Sequence, residues 1–130
     1  MTPEIEALYP MIGQAAVDAV PNSFQKLWAT AEILDDVSGT EIFYQIKEGE
    51  FHHIYDNIDE LDELFFKLRK AFIAAGEQPW SSVTLSVNED GKFSLEYGYE
   101  DVANFELAGE RREKWLVQYL GSNAKIIYEE

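Results

Sequence analysis

His52 and His53, followed by Tyr55, Asp56 and Asp59, form the one segment of the chain that sets imidazole beside carboxylate. Those groups could hold a metal or move a proton as a general base. The two histidines are consecutive, however, and on an extended strand consecutive side chains point to opposite faces, so they do not converge on one ion there. Asp59, Glu60, Asp62 and Glu63 could form a carboxylate pair for glycoside or metal chemistry. Acids crowded into a first helical turn also satisfy the positive end of the helix dipole, which already accounts for them. Trp80, Tyr97, Tyr99 and Trp115 could line a ligand pocket, although aromatics at strand and helix spacing also simply fill cores. Zinc-protease, nucleophile-elbow, phosphate-loop and dinucleotide motifs are all missing, and with no cysteine there is neither a disulfide framework nor thiolate chemistry. The residues therefore predict no catalytic site, no metal and no cofactor.

The elements that would position these groups are legible from periodicity. Between Gln78 and Asp101, Val83, Leu85 and Val87 alternate with Ser82, Thr84 and Ser86, and the alternation resumes through Phe93, Leu95, Tyr97 and Tyr99. Asn88-Glu89-Asp90-Gly91 between them is a hairpin connection, with Gly91 free to take a positive φ. This hairpin is half-buried and needs a covering layer. Upstream, Thr2 as N-cap and Pro3 at the first helical position open a helix carrying Ile5, Leu8, Ile12, Ala15 and Ala16 on one face. Pro10 predicts a kink or restart within it, and Pro21-Asn22 its end.

Strand periodicity then runs from Phe24 to Asp35, with Leu27, Ala29, Ala31 and Ile33 on one face and Trp28, Thr30, Glu32 and Leu34 on the other. Asp35 to Gly39 reads as a turn, Thr40 to Lys47 as a returning strand, and Phe51 to Ile54 as a third. Asn57 can cap a helix with Leu61, Leu64, Leu68 and Phe72 in its apolar stripe, stopped by Gly76. Glu100 to Ala108 is a polar connection anchored by Val102 and Phe105. A helix from Glu110 to Leu120 follows, and Ala124 to Tyr128 is either an edge strand or a docked tail. The order α-βββ-α-ββ-α predicts an α+β fold, an antiparallel sheet of meander plus hairpin with helices packed on it, in a single domain over residues 1–130.

Twenty-five acids against ten bases give a net charge of −15, which repels nucleic acid and anionic lipid and attracts cationic partners. The N-terminus lacks the basic segment of a signal peptide and no apolar run is long enough to cross a bilayer, so a soluble cytoplasmic protein is expected.

Val20-Pro21 with Phe24, Lys26 and Leu27, then Ala31-Glu32-Ile33, Phe43-Tyr44, Gly76-Glu77-Gln78-Pro79-Trp80, Gly91-Lys92-Phe93, Glu96-Tyr97, Tyr99-Glu100-Asp101, and Trp115 with Tyr119-Leu120-Gly121 together resemble the YezG-like immunity protein family. Each motif is short, and their joint occurrence in order along nearly the whole chain carries the resemblance. It implies a cytoplasmic antitoxin that binds the toxic C-terminal domain of a secreted polymorphic toxin, often a nuclease, as in LXG-type systems. The chain departs from the family pattern at Phe24, where Trp is usual, and at Gly98, which replaces an acid between two tyrosines.

For the partner surface, the face of the first two strands away from the inferred core offers Trp28, Leu34 and Phe43 among Glu32, Asp35, Asp36 and Glu41. Exposed apolar side chains rimmed by acid fit a cationic toxin domain. The alternative, that the C-terminal helix covers this face through Trp115 and Leu116, is open at this level. So are two other classes of function: a small acidic ligand-binding domain or enzyme using Trp80, His53 and the acids, and a homo-oligomer subunit.

Overall fold

The computed structural model describes residues 2–20, 23–35 and 37–128. Its first element is helix α1, Pro3–Ala19, where the Thr2 hydroxyl accepts the Ile5 amide at 3.2 Å as the N-cap requires. The helix is uninterrupted through Pro10, so the proline interior to it does not restart the chain. It is over by Val20, and the expected Pro21-Asn22 stop lies outside the described residues.

Strands β1 (Lys26–Leu34), β2 (Val37–Lys47) and β3 (Glu50–Ile54) form the meander, helix α2 (Asp59–Ala74) follows, and β4 (Ser82–Asn88) and β5 (Phe93–Gly98) form the hairpin. The chain continues through a 3-10 turn at Phe105–Leu107 into helix α3 (Ala108–Tyr119), then strand β6 (Lys125–Tyr128). The six strands make one sheet in the order β5-β4-β1-β2-β3-β6. Its centre is β1, paired antiparallel with both β2 and β4, whereas the strongly patterned β4–β5 hairpin forms one end.

The α+β class and element order hold, with two differences in the sheet. It has six strands, and its last pair is parallel, Phe51 of β3 opposite Ile126 of β6. A connection containing a helix can deliver a strand in the parallel sense, which a tight turn cannot. The β1–β2 connection is also shorter than the turn-forming residues Ser38 and Gly39 suggest. Ladder pairing continues to Leu34 opposite Val37, and Asp35 turns the chain at φ 54°, a left-handed conformation that aspartate tolerates.

Inward, α1 and α2 cover the sheet over a core of Ile5, Ile12, Leu27, Ile33, Ile42, Leu61, Phe65, Leu68, Trp80 and Leu85. Asp62 ties α2 to β2 by accepting the Ser38 hydroxyl at 2.8 Å and the Thr40 hydroxyl at 2.5 Å. Asn57 is not the cap of α2: it is left-handed at φ 56°, and Ile58 precedes the helix without a side-chain cap. The acids Asp59, Glu60 and Asp62 in the first turn oppose the dipole there instead. Leu95 is half-buried against the core, but Phe93 is 40% exposed because it begins an edge strand, with its ring near Gly13 of α1.

Candidate partner interface

On the outer face, α3 supplies Leu116 and Leu120, one helical turn apart, and they pack with Trp28, Phe43 and Phe51 into a second apolar cluster. Trp28 is only 6% exposed and Phe43 is fully buried, so the expected exposed aromatic anchors are interior residues. A helix with an apolar stripe must bury it, and the outer face of β1 to β3 is where this one does so. Trp115 lies 5.2 Å from Phe43, ring to ring, and its indole donates to the Thr84 hydroxyl at 2.9 Å. Trp80 is also interior, against Phe72 on the inner face.

Two of the expected interface acids moor this helix. The Glu32 carboxylate accepts Arg111 Nε at 2.7 Å and Nη2 at 3.0 Å, a two-point ion pair. Glu41 accepts Arg112 Nε at 3.0 and 3.1 Å and meets His53 Nε2 at 2.9 Å. Burial pushes the Glu41 carboxyl up, but the His53 hydrogen bond and the Arg112 charge outweigh it, leaving its pKa below the usual value. Arg112 also sits 5.8 Å from the Phe43 ring centre and 5.7 Å from that of Tyr128.

The histidines do face opposite sides. His52 stacks on Tyr44 at 5.1 Å toward the helices α1 and α2, and His53 lies on the outer face against Phe43 at 5.0 Å. His53 and Trp80 consequently stand on opposite sides of the sheet and do not converge on a pocket. Among the described residues no group of three or more His, Asp or Glu side chains could hold a metal ion.

The far end of the β1–β2 hairpin lies open. Leu34 is half-buried, Val37 is 51% exposed, and Asp35 is exposed at the turn; Asp36 lies outside the described residues. Beside the hairpin runs the segment from Glu100 to Leu107, where Val102 is buried as the expected anchor and Phe105, expected as a second, is 62% exposed. Leu34, Val37, Val102 and Phe105, with Glu32 and Ala108, line a shallow groove of about 210 Å³ between hairpin and segment. Asp35, Asp101 and Glu106, next in sequence to three of these apolar residues, are all exposed.

Arg111 builds this groove as well as the helix. Besides gripping Glu32 it donates through Nη1 to the Asn104 carbonyl at 3.0 Å and through Nη2 to the Val102 carbonyl at 3.5 Å. The Asp101 carboxylate accepts the Ala103 amide at 2.9 Å, the Asn104 side chain accepts the Glu106 amide at 3.1 Å, and Ser81 Oγ donates to the Glu100 carbonyl at 2.6 Å. The sequence signal for this arrangement is the Arg111-Arg112 pair near the start of α3, which the apolar periodicity of that helix passes over.

Fold and groove define an acidic α+β protein with one sheet face closed by paired helices, the other half-closed by a third, and a shallow acid-flanked groove at the sheet end. A family model described as immunity protein YezG-like matches residues 44–129. The immunity protein YezG of Bacillus spizizenii (strain ATCC 23059 / NRRL B-14472 / W23) is 32% identical, over 92% of this chain and 84% of its own length. That of Bacillus subtilis (strain 168) is 30% identical, over 90% of this chain and 88% of its own. The chain belongs to the YezG-like immunity protein family.

Proposed function

We propose that this protein is a cytoplasmic antitoxin that neutralises the toxic domain of a secreted polymorphic toxin by binding it, without catalysis. The observation that carries this reading is family membership along nearly the whole chain, together with a net charge of −15. A nuclease toxin fits that charge, because a surface built to bind nucleic acid is cationic and would be drawn to this protein at a salt-dependent rate. Inhibition by occupancy needs no reactive constellation. In keeping with that, Trp80 and His53, the groups an enzyme would have used, lie on opposite faces of the sheet.

The test is co-expression with the C-terminal domain encoded by the adjacent open reading frame. Growth arrest by that domain alone, relieved by this chain, is the expected result. Arrest that persists with this chain folded and abundant would reject the antitoxin reading.

A further inference from the structure

We infer that the groove between the β1–β2 hairpin and the Val102–Leu107 segment is where the toxin docks, and that it seats a lysine or arginine side chain of a basic toxin surface. The inference rests on the antitoxin reading and adds the place and chemistry of contact. The apolar wall of Leu34, Val37 and Val102 suits the methylene stem of such a side chain, which packs on apolar surface while its charge stays solvated or paired. Phe105, 62% exposed, offers a ring face for the cation. Asp35, Asp101 and Glu106, all exposed and each next in sequence to a groove residue, supply opposing charge that neutral or acidic partners would not match.

Two further features single out this place. The aromatic surface of Trp28 and Phe43 is sealed beneath α3, whereas Val37 and Phe105 of the groove are exposed. The Val102–Leu107 segment lacks a regular strand, yet Arg111, Asp101 and Asn104 hold its backbone, and Ser81 holds the Glu100 carbonyl just before it. Ordering before contact lowers the entropic cost of binding.

The experiment measures association and dissociation of the full chain with the purified C-terminal domain from the adjacent reading frame. Phe105→Ala should raise Kd about tenfold or more, mainly through faster dissociation, whereas Ile73→Ser, at another exposed apolar position on α2, should not. The double change Asp35→Lys with Glu106→Lys should slow association at low salt several-fold more than Glu60→Lys with Glu63→Lys, which alters net charge equally. Amide exchange in the wild-type complex should show protection at 34–39 and 101–107. Wild-type binding with groove variants matching their controls, or protection elsewhere only, overturns the docking site and leaves the antitoxin reading intact. A wild-type chain that does not bind the domain overturns both.

Discussion

Arg111 on α3 and Glu32 on the central strand β1 lie 79 residues apart in sequence and meet in a two-point ion pair, Nε to Oε2 at 2.7 Å and Nη2 to Oε1 at 3.0 Å. The same guanidinium holds two carbonyls of the Val102–Asn104 segment, so a single side chain fixes both the start of α3 and one wall of the groove. Its pKa is raised chiefly by the hydrogen bond to Glu32, and it stays charged at every working pH.

Arg111→Lys keeps the charge but loses the planar fork and the carbonyl contacts. The expected cost is about 1 to 2 kcal/mol, between a surface ion pair and a set of charge-assisted hydrogen bonds. Amide exchange at 102–106 should speed up by more than the change in global stability explains. Exchange there that merely follows global unfolding would separate Arg111 from the ordering of this segment.

Trp28→Ala should act on stability. The indole is enclosed by Phe51, Leu116 and Leu120, and truncating an aromatic residue in such a cluster costs about 3 to 5 kcal/mol. Urea unfolding would read this directly. A variant of wild-type stability with weakened toxin binding would instead restore Trp28 as a contact residue.

Glu41 makes stability pH-dependent with a definite sign. Its folded pKa lies below the ordinary glutamate value of 4.5, so its ionised form contributes stability that is complete above that value and fades as pH falls through the lower, folded one. Glu41→Gln should be less stable than wild type at pH 6 and 7, and the gap should narrow below about pH 4.5. A gap that widens in acid would contradict the ion pair with Arg112 and the hydrogen bond with His53. Denaturant midpoints are the suitable measure, since the sequence pI is about 4.3 and solubility is lowest in that range.

Asp62→Ala should loosen the inner contact between α2 and β2. It leaves the Ser38 and Thr40 hydroxyls without their carboxylate partner, and Thr40 is buried. An unsatisfied buried hydroxyl costs about 1 to 3 kcal/mol, so a loss of that order in denaturant unfolding is expected. Wild-type stability in this variant would show that the two hydroxyls find other partners.

The inner half of the fold was legible because local patterns state it. Leu27, Ala29, Ala31 and Ile33 alternate strictly, Val83, Leu85 and Val87 do the same, and Leu61, Leu64 and Leu68 repeat at helical spacing. The outer half was not, because Trp28 and Phe43 have the same alternation whether they face water or another layer. What settles it is the docking of α3, which depends on Leu116, Leu120, Arg111 and Arg112 meeting residues of the first three strands, far away in sequence. Turn propensity misled at Ser38 and Gly39, where the ladder with β1 outweighs it, and at Asn57, whose left-handed backbone leaves it outside the cap. The four residues of β6 are too short a run to distinguish an edge strand from a docked tail. Of the expected site, Asp35 is exposed at the turn and Leu34 is half-buried, while Glu32 and Glu41 are engaged by α3.

The claim of inhibition by binding is tested most directly by titrating the toxic domain with this chain and following residual toxin activity, for a nuclease the cleavage of a labelled oligonucleotide. A binder used well above Kd should remove activity linearly, with a sharp end point at a fixed stoichiometric ratio, unchanged by longer incubation and reversed when the complex is dissociated and the toxin recovered. Loss of activity at a small fraction of that ratio, growing with time and persisting in the recovered toxin, would contradict non-catalytic neutralisation and mark the chain as an enzyme acting on its partner.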